Sequence, residues 1–271
     1  MTSGTDIEVR LLLEAIFLRY HYDFRRYSMV SLKRRIGVAM THLDCRTVSA
    51  LQERVLHDPP SFTKLLQYVT VPVSEMFRDP AFFKVLRERI VPDLRTYPSL
   101  KFWVAGCSTG EEVYSIAILL REEGVLQKSI LYATDINPDA LAKAEAGLFA
   151  FDRMPAFHEN HKASGGKGSL SEHYTARYGN AVFDRTLRQN VVFSDHSLAT
   201  DNVFAEVQMV TCRNVLIYFD KELQTRAIGL FRDALCRRGF LGLGSRETLQ
   251  FSPHAEAFTE LARVEKWYQR C

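Results

Sequence analysis

The residues whose types and spacing could do chemistry are concentrated in Lys101 to Leu120, KFWVAGCSTGEEVYSIAILL. Gly106 and Gly110 bracket a tight turn in which the backbone can approach a ligand that side chains would block. Glu111 and Glu112 follow at once, where acids favour the positive end of a helix. Two acids at that point repel a phosphate but tolerate a cation or a ribose hydroxyl. The middle glycine of the dinucleotide fingerprint G-x-G-x-x-G is missing, which disfavours a nicotinamide dinucleotide. S-adenosylmethionine suits such a turn, because it carries a sulfonium, an amino acid and an adenosine but no phosphate. A third acid, Asp135, ends the apolar run SILYATDI, where a carboxylate can accept hydrogen bonds from ribose. Asn137 can cap the helix from Pro138 onward, which leaves Asp135 available for a ligand.

Other reactive residue types offer less. Cys107 and Cys212 end apolar runs and read as small buried residues, not nucleophiles. His158 and His161 have metal-pair spacing, yet no third ligand is evident nearby, so no metal is expected.

These residues need elements to position them. Phe102 to Ala105 reads as a buried parallel strand, and Val113, Ile116, Ala117 and Leu120 recur at helical spacing after it. Ser129–Ile136, a strand starting at Asn190, Val207–Thr211 and Gly239–Gly244 supply further strands. A helix is expected over Asp220–Arg237, and one last strand over Phe258–Tyr268. Gly147–Arg188 breaks the alternation. It contains the polar stretch HKASGGKGSL and a hairpin pattern around Gly179-Asn180, and reads as an insertion.

Ahead of the sheet, Ile7–Tyr20 reads as a helix. A second starts after Ser28, with Met29, Leu32, Ile36, Met40 and Leu43 as its buried stripe and Lys33, Arg34 and Arg35 outside it. Two shorter helices are separated by Pro59-Pro60. Val71–Arg78 is a linker into a helix that Asp79 caps and Pro80 opens.

The chain has 271 residues, 46% hydrophobic and 25% charged, an ordinary globular balance. Five dispersed cysteines argue for reduced thiols and against a disulfide framework. The polar start MTSGTDIEVR lacks an apolar signal region, and no apolar run reaches the ~20 residues that span a bilayer. A cytoplasmic protein without membrane insertion is therefore expected. The net charge of +3 does not argue for nucleic acid. Arg19 to Arg54, however, holds eight basic and three acidic residues, a surface suited to an acidic partner.

Five stretches occur in order: VSEMFRDPAFF, VAGCSTGEEVYSIA, ATDINPDALAKAEAGLF, VVFSDHSL and TCRNVLIYFD. Together they resemble the CheR family of chemotaxis receptor methyltransferases. The resemblance implies an α/β fold: a class I, Rossmann-like S-adenosylmethionine-dependent core over 99–271, with a small antiparallel β-subdomain inserted at 148–188. It also implies an all-helical N-terminal domain over 1–70, joined by a linker and helix at 71–98. The implied reaction moves a methyl group from S-adenosylmethionine to receptor glutamate γ-carboxylates, leaving S-adenosylhomocysteine.

Ser74 and Arg78 fall at the family's Thr-x-x-x-Arg cofactor positions. Gly106 and Glu111 correspond to its glycine turn and ligand acid, and Asp135 to its ribose acid. Ser197, Leu198, Arg213 and Asn214 would line the remaining wall. Arg78 and Tyr218 are the candidates for positioning the reacting groups. Arg25, Lys33, Arg34 and Arg35 would dock the acidic methylation helices, the enzyme acting as a monomer. Pro72 and Ser197 replace residues that are often asparagine in the family. The short turn at Tyr178-Gly179-Asn180 resembles the group that does not bind a receptor's C-terminal pentapeptide. The alternatives weighed are a methyltransferase for another protein and a regulatory module that binds the cofactor without turnover.

Overall fold

A computed structural model describes residues 3–70 and 72–271. Met1 and Thr2, and Val71 at the head of the expected linker, lie outside the described residues.

The N-terminal part is a bundle of α1 (Gly4–Tyr20), α2 (Met29–His42), α3 (Val48–His57) and α4 (Pro59–Thr70). Their apolar stripes close one core, in which Leu12, Ile16, Leu32, Ile36, Leu51 and Leu65 are almost wholly buried. Pro59 and Pro60 occupy the first turn of α4, where a missing N–H costs nothing. The Ser28 side chain makes no capping bond; its backbone N–H instead reaches across to the Tyr218 carbonyl, 2.7 Å away.

Next come α5 (Pro80–Val85), a π-helical turn (Leu86–Ile90) and α6 (Val91–Leu94). Asp79 precedes α5 in a left-handed conformation without capping it. Its carboxylate is taken by Arg213 instead, at 2.8 Å.

The core is a seven-stranded sheet of order β6-β2-β1-β7-β8-β10-β9. Its members are β1 (Leu100–Ala105), β2 (Ser129–Asp135), β6 (Val191–Asp195), β7 (Val207–Cys212), β8 (Leu235–Leu243), β9 (Phe258–Ala262) and β10 (Trp267–Arg270). Five strands run parallel, and β10 pairs antiparallel with both β8 and β9. Counted among themselves, the strands lie in the order 3-2-1-4-5-7-6. Along β1, Leu100, Phe102 and Val104 pack to one side with α5 and α7 (Glu111–Glu122), while Trp103 and Ala105 pack to the other with α10 (Lys221–Ala234). Both faces are thus covered, as a parallel sheet requires.

Two expectations change here. The last strand is two, turning between Ala262 and Trp267. The helix before β8 stops at Ala234, and the strand begins at Leu235, whose side chain is fully buried. The insertion is the expected small antiparallel β-subdomain: β3 (Leu148–Ala150), β4 (Tyr174–Arg177) and β5 (Asn180–Phe183) form a separate sheet, backed by α9 (Met154–Ala163). Its hairpin turns on Tyr178 and Gly179, both at positive φ. The polar stretch HKASGGKGSL is anchored at its start, where His161 is buried and Gly166 lies against its ring, so that a Cβ there would sit 2.3 Å from Nε2.

No helix among the described residues is long and apolar enough to cross a membrane. No three His, Cys, Asp or Glu side chains among them gather as a metal site.

Candidate active site

The strand order reverses at β1, whose neighbours β2 and β7 lie on opposite sides. In such sheets the ligand crevice opens beyond the carboxyl ends of the strands at this point. A cleft of about 940 Å³, counted out to its open mouth, occupies that position. Its floor comes from four strand ends: Gly106–Ser108 after β1, Asp135 and Ile136 at β2, His196 and Leu198 after β6, and Arg213–Val215 after β7. Its roof comes from Tyr27, Arg35, Val69 and Thr70 of the helical bundle and from Ser74, Glu75 and Arg78 of the segment that follows.

The glycine turn works by close approach. Gly106 has φ +72°, and a Cβ there would sit 2.4 Å from Val215 Cγ2. Gly110 has φ +93° and lies against Ala144 of α8 (Pro138–Ala146), a contact that a side chain would break.

Asp135 is held in place by backbone donors: Ser108 N–H reaches Oδ2 at 2.8 Å and Asn137 N–H reaches Oδ1 at 2.9 Å. Each oxygen keeps acceptor capacity for a ribose hydroxyl. Burial pushes this carboxyl above its ordinary value, although the backbone hydrogen bonds pull the other way. Asn137 caps α8, accepting from Asp139 and Ala140 N–H, so it does not compete for the ligand. The cleft also contains polar groups that lack partners. Ser108 Oγ and His196 Nδ1 are buried and unbonded, and Arg78 makes no side-chain hydrogen bond or ion pair among the described residues. A ligand that combines hydroxyls, a cationic amino acid and a carboxylate matches acids at Asp135 and Glu112 and a free guanidinium at Arg78.

Residues 72–264 match the family described as CheR methyltransferase, SAM binding domain, and residues 7–70 match its all-alpha domain. The chain belongs to the CheR methyltransferase family. It is a methyltransferase whose methyl donor is S-adenosylmethionine and whose product is S-adenosylhomocysteine. It is similar to a Pseudomonas putida protein with the provisional name methyltransferase Cher3, 59% identical over the whole of both chains. It is also similar to the chemotaxis protein methyltransferase of Listeria innocua, 29% identical over 84% of each chain. Among solved structures it is similar to the N-methyltransferase NodS from Bradyrhizobium japonicum in complex with S-adenosyl-l-homocysteine: TM-score 0.40, 12% identity, 73% of this chain and 89% of that one.

Within this CheR cleft the expected residues do not all face the same way. Ser74, Arg78, Gly106, Asp135, Leu198, Arg213, Asn214 and Tyr218 line it. Glu111 does not. It is 1% exposed and turned under the insertion, paired with Arg153 at 2.7 Å and with the Thr109 hydroxyl at 2.6 Å. Its neighbour Glu112 faces the cleft, because successive helix residues point about 100° apart. Ser197 also turns away: its N–H donates to Asp201, and its hydroxyl accepts from Ala199 N–H.

Arg213 is a brace. Its guanidinium spans Glu112 at 3.1 Å and Asp79 at 2.8 Å, donates to the Arg78 carbonyl, and lies 4.1 Å over the Phe82 ring. Glu247 steadies the opposite wall. Its buried carboxylate accepts N–H bonds from Gly244, Asn214, Val215 and Ile217, fixing the loop after β7. Burial raises its pKa despite those donors. Cys107 and Cys212 are buried and their thiols are pushed well up by burial, which suits packing residues.

Among the basic residues assigned to docking, Arg35 is 5% exposed and stands in the cleft wall. Its guanidinium lies 4.0 Å over the Tyr218 ring and donates to the Val69 carbonyl. It is not on the outer face, because Ile36 and Leu32 draw that side of α2 inward. Arg25 is held by Asp23 and Glu14, and Lys33 by Asp6. Arg34 is exposed and has no ion-pair partner among the described residues.

Sequence reasoning passed over Glu112, Tyr27, His196 and Glu247. Glu112 carried a signal, as the second acid of the pair. His196 stands within the quoted stretch VVFSDHSL without being singled out, and Tyr27 and Glu247 lie outside those stretches and are recruited only by folding.

Proposed function

We propose that this CheR enzyme methylates the γ-carboxylates of glutamates on the cytoplasmic helices of chemoreceptors. The observation that carries the reading is Arg78: an unpaired guanidinium in the cofactor cleft that Tyr218 also lines, next to a helical bundle on which Arg34 is exposed.

S-adenosylmethionine, when bound, supplies an electrophilic methyl group on a sulfonium. Asp135 accepts from the ribose hydroxyls, and Glu112, held by Arg213 and the Thr211 hydroxyl, keeps acceptor capacity for the amino group. Arg78 orients a carboxylate, whose shape its planar fork matches. Tyr218, stacked under Arg35, lines the same cleft. A glutamate of ordinary pKa about 4.3 is already ionised at neutral pH, so no residue of the chain has to remove a proton. Opposite charges disappear during transfer, so the cleft helps chiefly by excluding water and aligning the groups. Arg34, exposed beside Lys33 on α2, meets the acidic surface of the substrate helices. The two-residue turn at Tyr178-Gly179 supports recognition without a C-terminal pentapeptide tether.

Mass spectrometry of receptor cytoplasmic fragments, incubated with enzyme and S-adenosylmethionine, tests this reading. Base-labile methyl esters on glutamate are expected. Base-stable label, or transfer only to non-receptor proteins, would refute it.

A further inference from the structure

The segment carrying Ser74 and Arg78 has almost no regular structure of its own, yet it lines the cleft and ends at two unusual backbone positions that flank Arg78. Phe77 and Asp79 are both non-glycine residues in the left-handed region, at φ +51° and +55°. Such conformations persist only where the surroundings over-determine them. What holds this segment is therefore informative.

The first half is held by the inserted subdomain. Arg153, in the turn after β3, donates through Nη1 to Glu111 at 2.7 Å and through Nη2 to the Ser74 carbonyl. Its guanidinium lies 4.8 Å from the centre of the Phe157 ring on α9. One turn further along α9, Asn160 Nδ2 donates to the Met76 carbonyl and to Glu75 Oε1, both at 3.1 Å. The second half is held by the core. Ser115 Oγ accepts the Phe77 N–H at 2.8 Å, and Arg213 takes the Arg78 carbonyl at 2.6 Å. Glu111 thus has a task other than ligand binding: it anchors Arg153.

We infer that Arg153 is a positioning residue for the cofactor cleft, and that the inserted subdomain, through Arg153 and Asn160, sets the conformation of the Ser74–Arg78 segment. The insertion is then part of the machinery that binds the methyl donor. A partner that shifts the insertion alters cofactor affinity through this clasp without entering the cleft. A purely structural salt bridge would support folding and leave the cleft unchanged. The clasp differs, because it ends on the backbone of a residue that lines the cleft.

The test uses the full chain. In Arg153→Met, calorimetric affinity for S-adenosylhomocysteine should fall about tenfold, the scale of a lost charge-assisted bond. Hydrogen exchange should accelerate over residues 72–79. Arg153→Lys, which keeps a donor, should recover most of the affinity. Asn160→Ala leaves the Glu111 pair intact and should shift affinity in the same direction by less, which keeps the inference testable if Arg153→Met does not fold. Unchanged affinity in folded Arg153→Met, or in Asn160→Ala when only that variant folds, would overturn it. So would a loss that Arg153→Lys does not recover, or exchange that accelerates across the insertion but not at 72–79.

Discussion

Asp135 illustrates how one residue can be prepared for its ligand. Two backbone N–H groups fix the carboxylate, and burial raises its pKa above the ordinary 3.8. A carboxyl with a raised pKa costs folding stability while ionised, and that cost shrinks as pH falls. Ribose binding has the opposite requirement, since the ionised form is the better acceptor. Affinity for S-adenosylhomocysteine should therefore decline on acidification from a higher pH than an ordinary aspartate would give. Asp135→Asn should weaken binding about tenfold and flatten that pH dependence. Calorimetry across a pH series checks both, and a variant with unchanged affinity would remove Asp135 from the site. That Asp135 stands at the end of β2 was legible in SILYATDI. Which of Glu111 and Glu112 faces the cleft was not, because the choice is made by Arg153 and Arg213, 42 and 101 residues away in sequence.

At the scale of elements, α2 divides its work between two faces. Leu32, Ile36 and Arg35 turn inward, and Arg35 closes the cleft over Tyr218. Arg34 turns outward. Arg34→Glu should reduce receptor methylation several-fold at low salt and much less at high salt, with cofactor affinity unchanged, because screening removes the attraction to an acidic partner. Methylation assays at two ionic strengths, with calorimetry alongside, check this; equal loss of both would assign Arg34 to the cleft. Periodicity identified α2 but read three consecutive basic residues as one face. Arg35 escapes that rule because an aromatic ring and a carbonyl receive its guanidinium.

Across the whole molecule, the insertion is joined to the core by a buried ionic network. Glu122 of α7 receives His161 at 2.7 Å and Arg87 at 2.6 Å, while Glu123 receives Arg87, Arg95 and Lys167. Burial alone would raise the Glu122 pKa, but hydrogen bonds from His161, His173 and Arg87 outweigh it and hold the carboxyl well below its ordinary 4.5. A lowered carboxylate contributes stability that is complete above the unfolded value and is lost as pH falls toward the folded one. Stability should therefore drop below about pH 4.5, and the insertion should loosen first. Glu122→Gln should cost about 3 kcal/mol at neutral pH, the scale for breaking a buried pair. Denaturant titration measures the cost, and hydrogen exchange at two pH values locates the loosening. Uniform exchange across core and insertion would show that the network does not govern their junction.

The chain's local order settled a good deal by itself: the strand, glycine turn and helix around Gly106, the acid ending β2, the helical bundle and the place of the insertion. Those features depend on periodicity and backbone freedom, which neighbours in sequence control. Tertiary structure decided the direction of particular side chains. It hid Glu111 under Arg153, spent Arg213 on bracing, tied Ser197 to Asp201 and Ala199, drew Arg35 into the wall, brought Tyr27 to the cleft and set Glu247 behind the loop that lines it. The physical reason is that a charged or polar group near a core points wherever distant segments offer it a partner, and no local pattern encodes where those segments will lie.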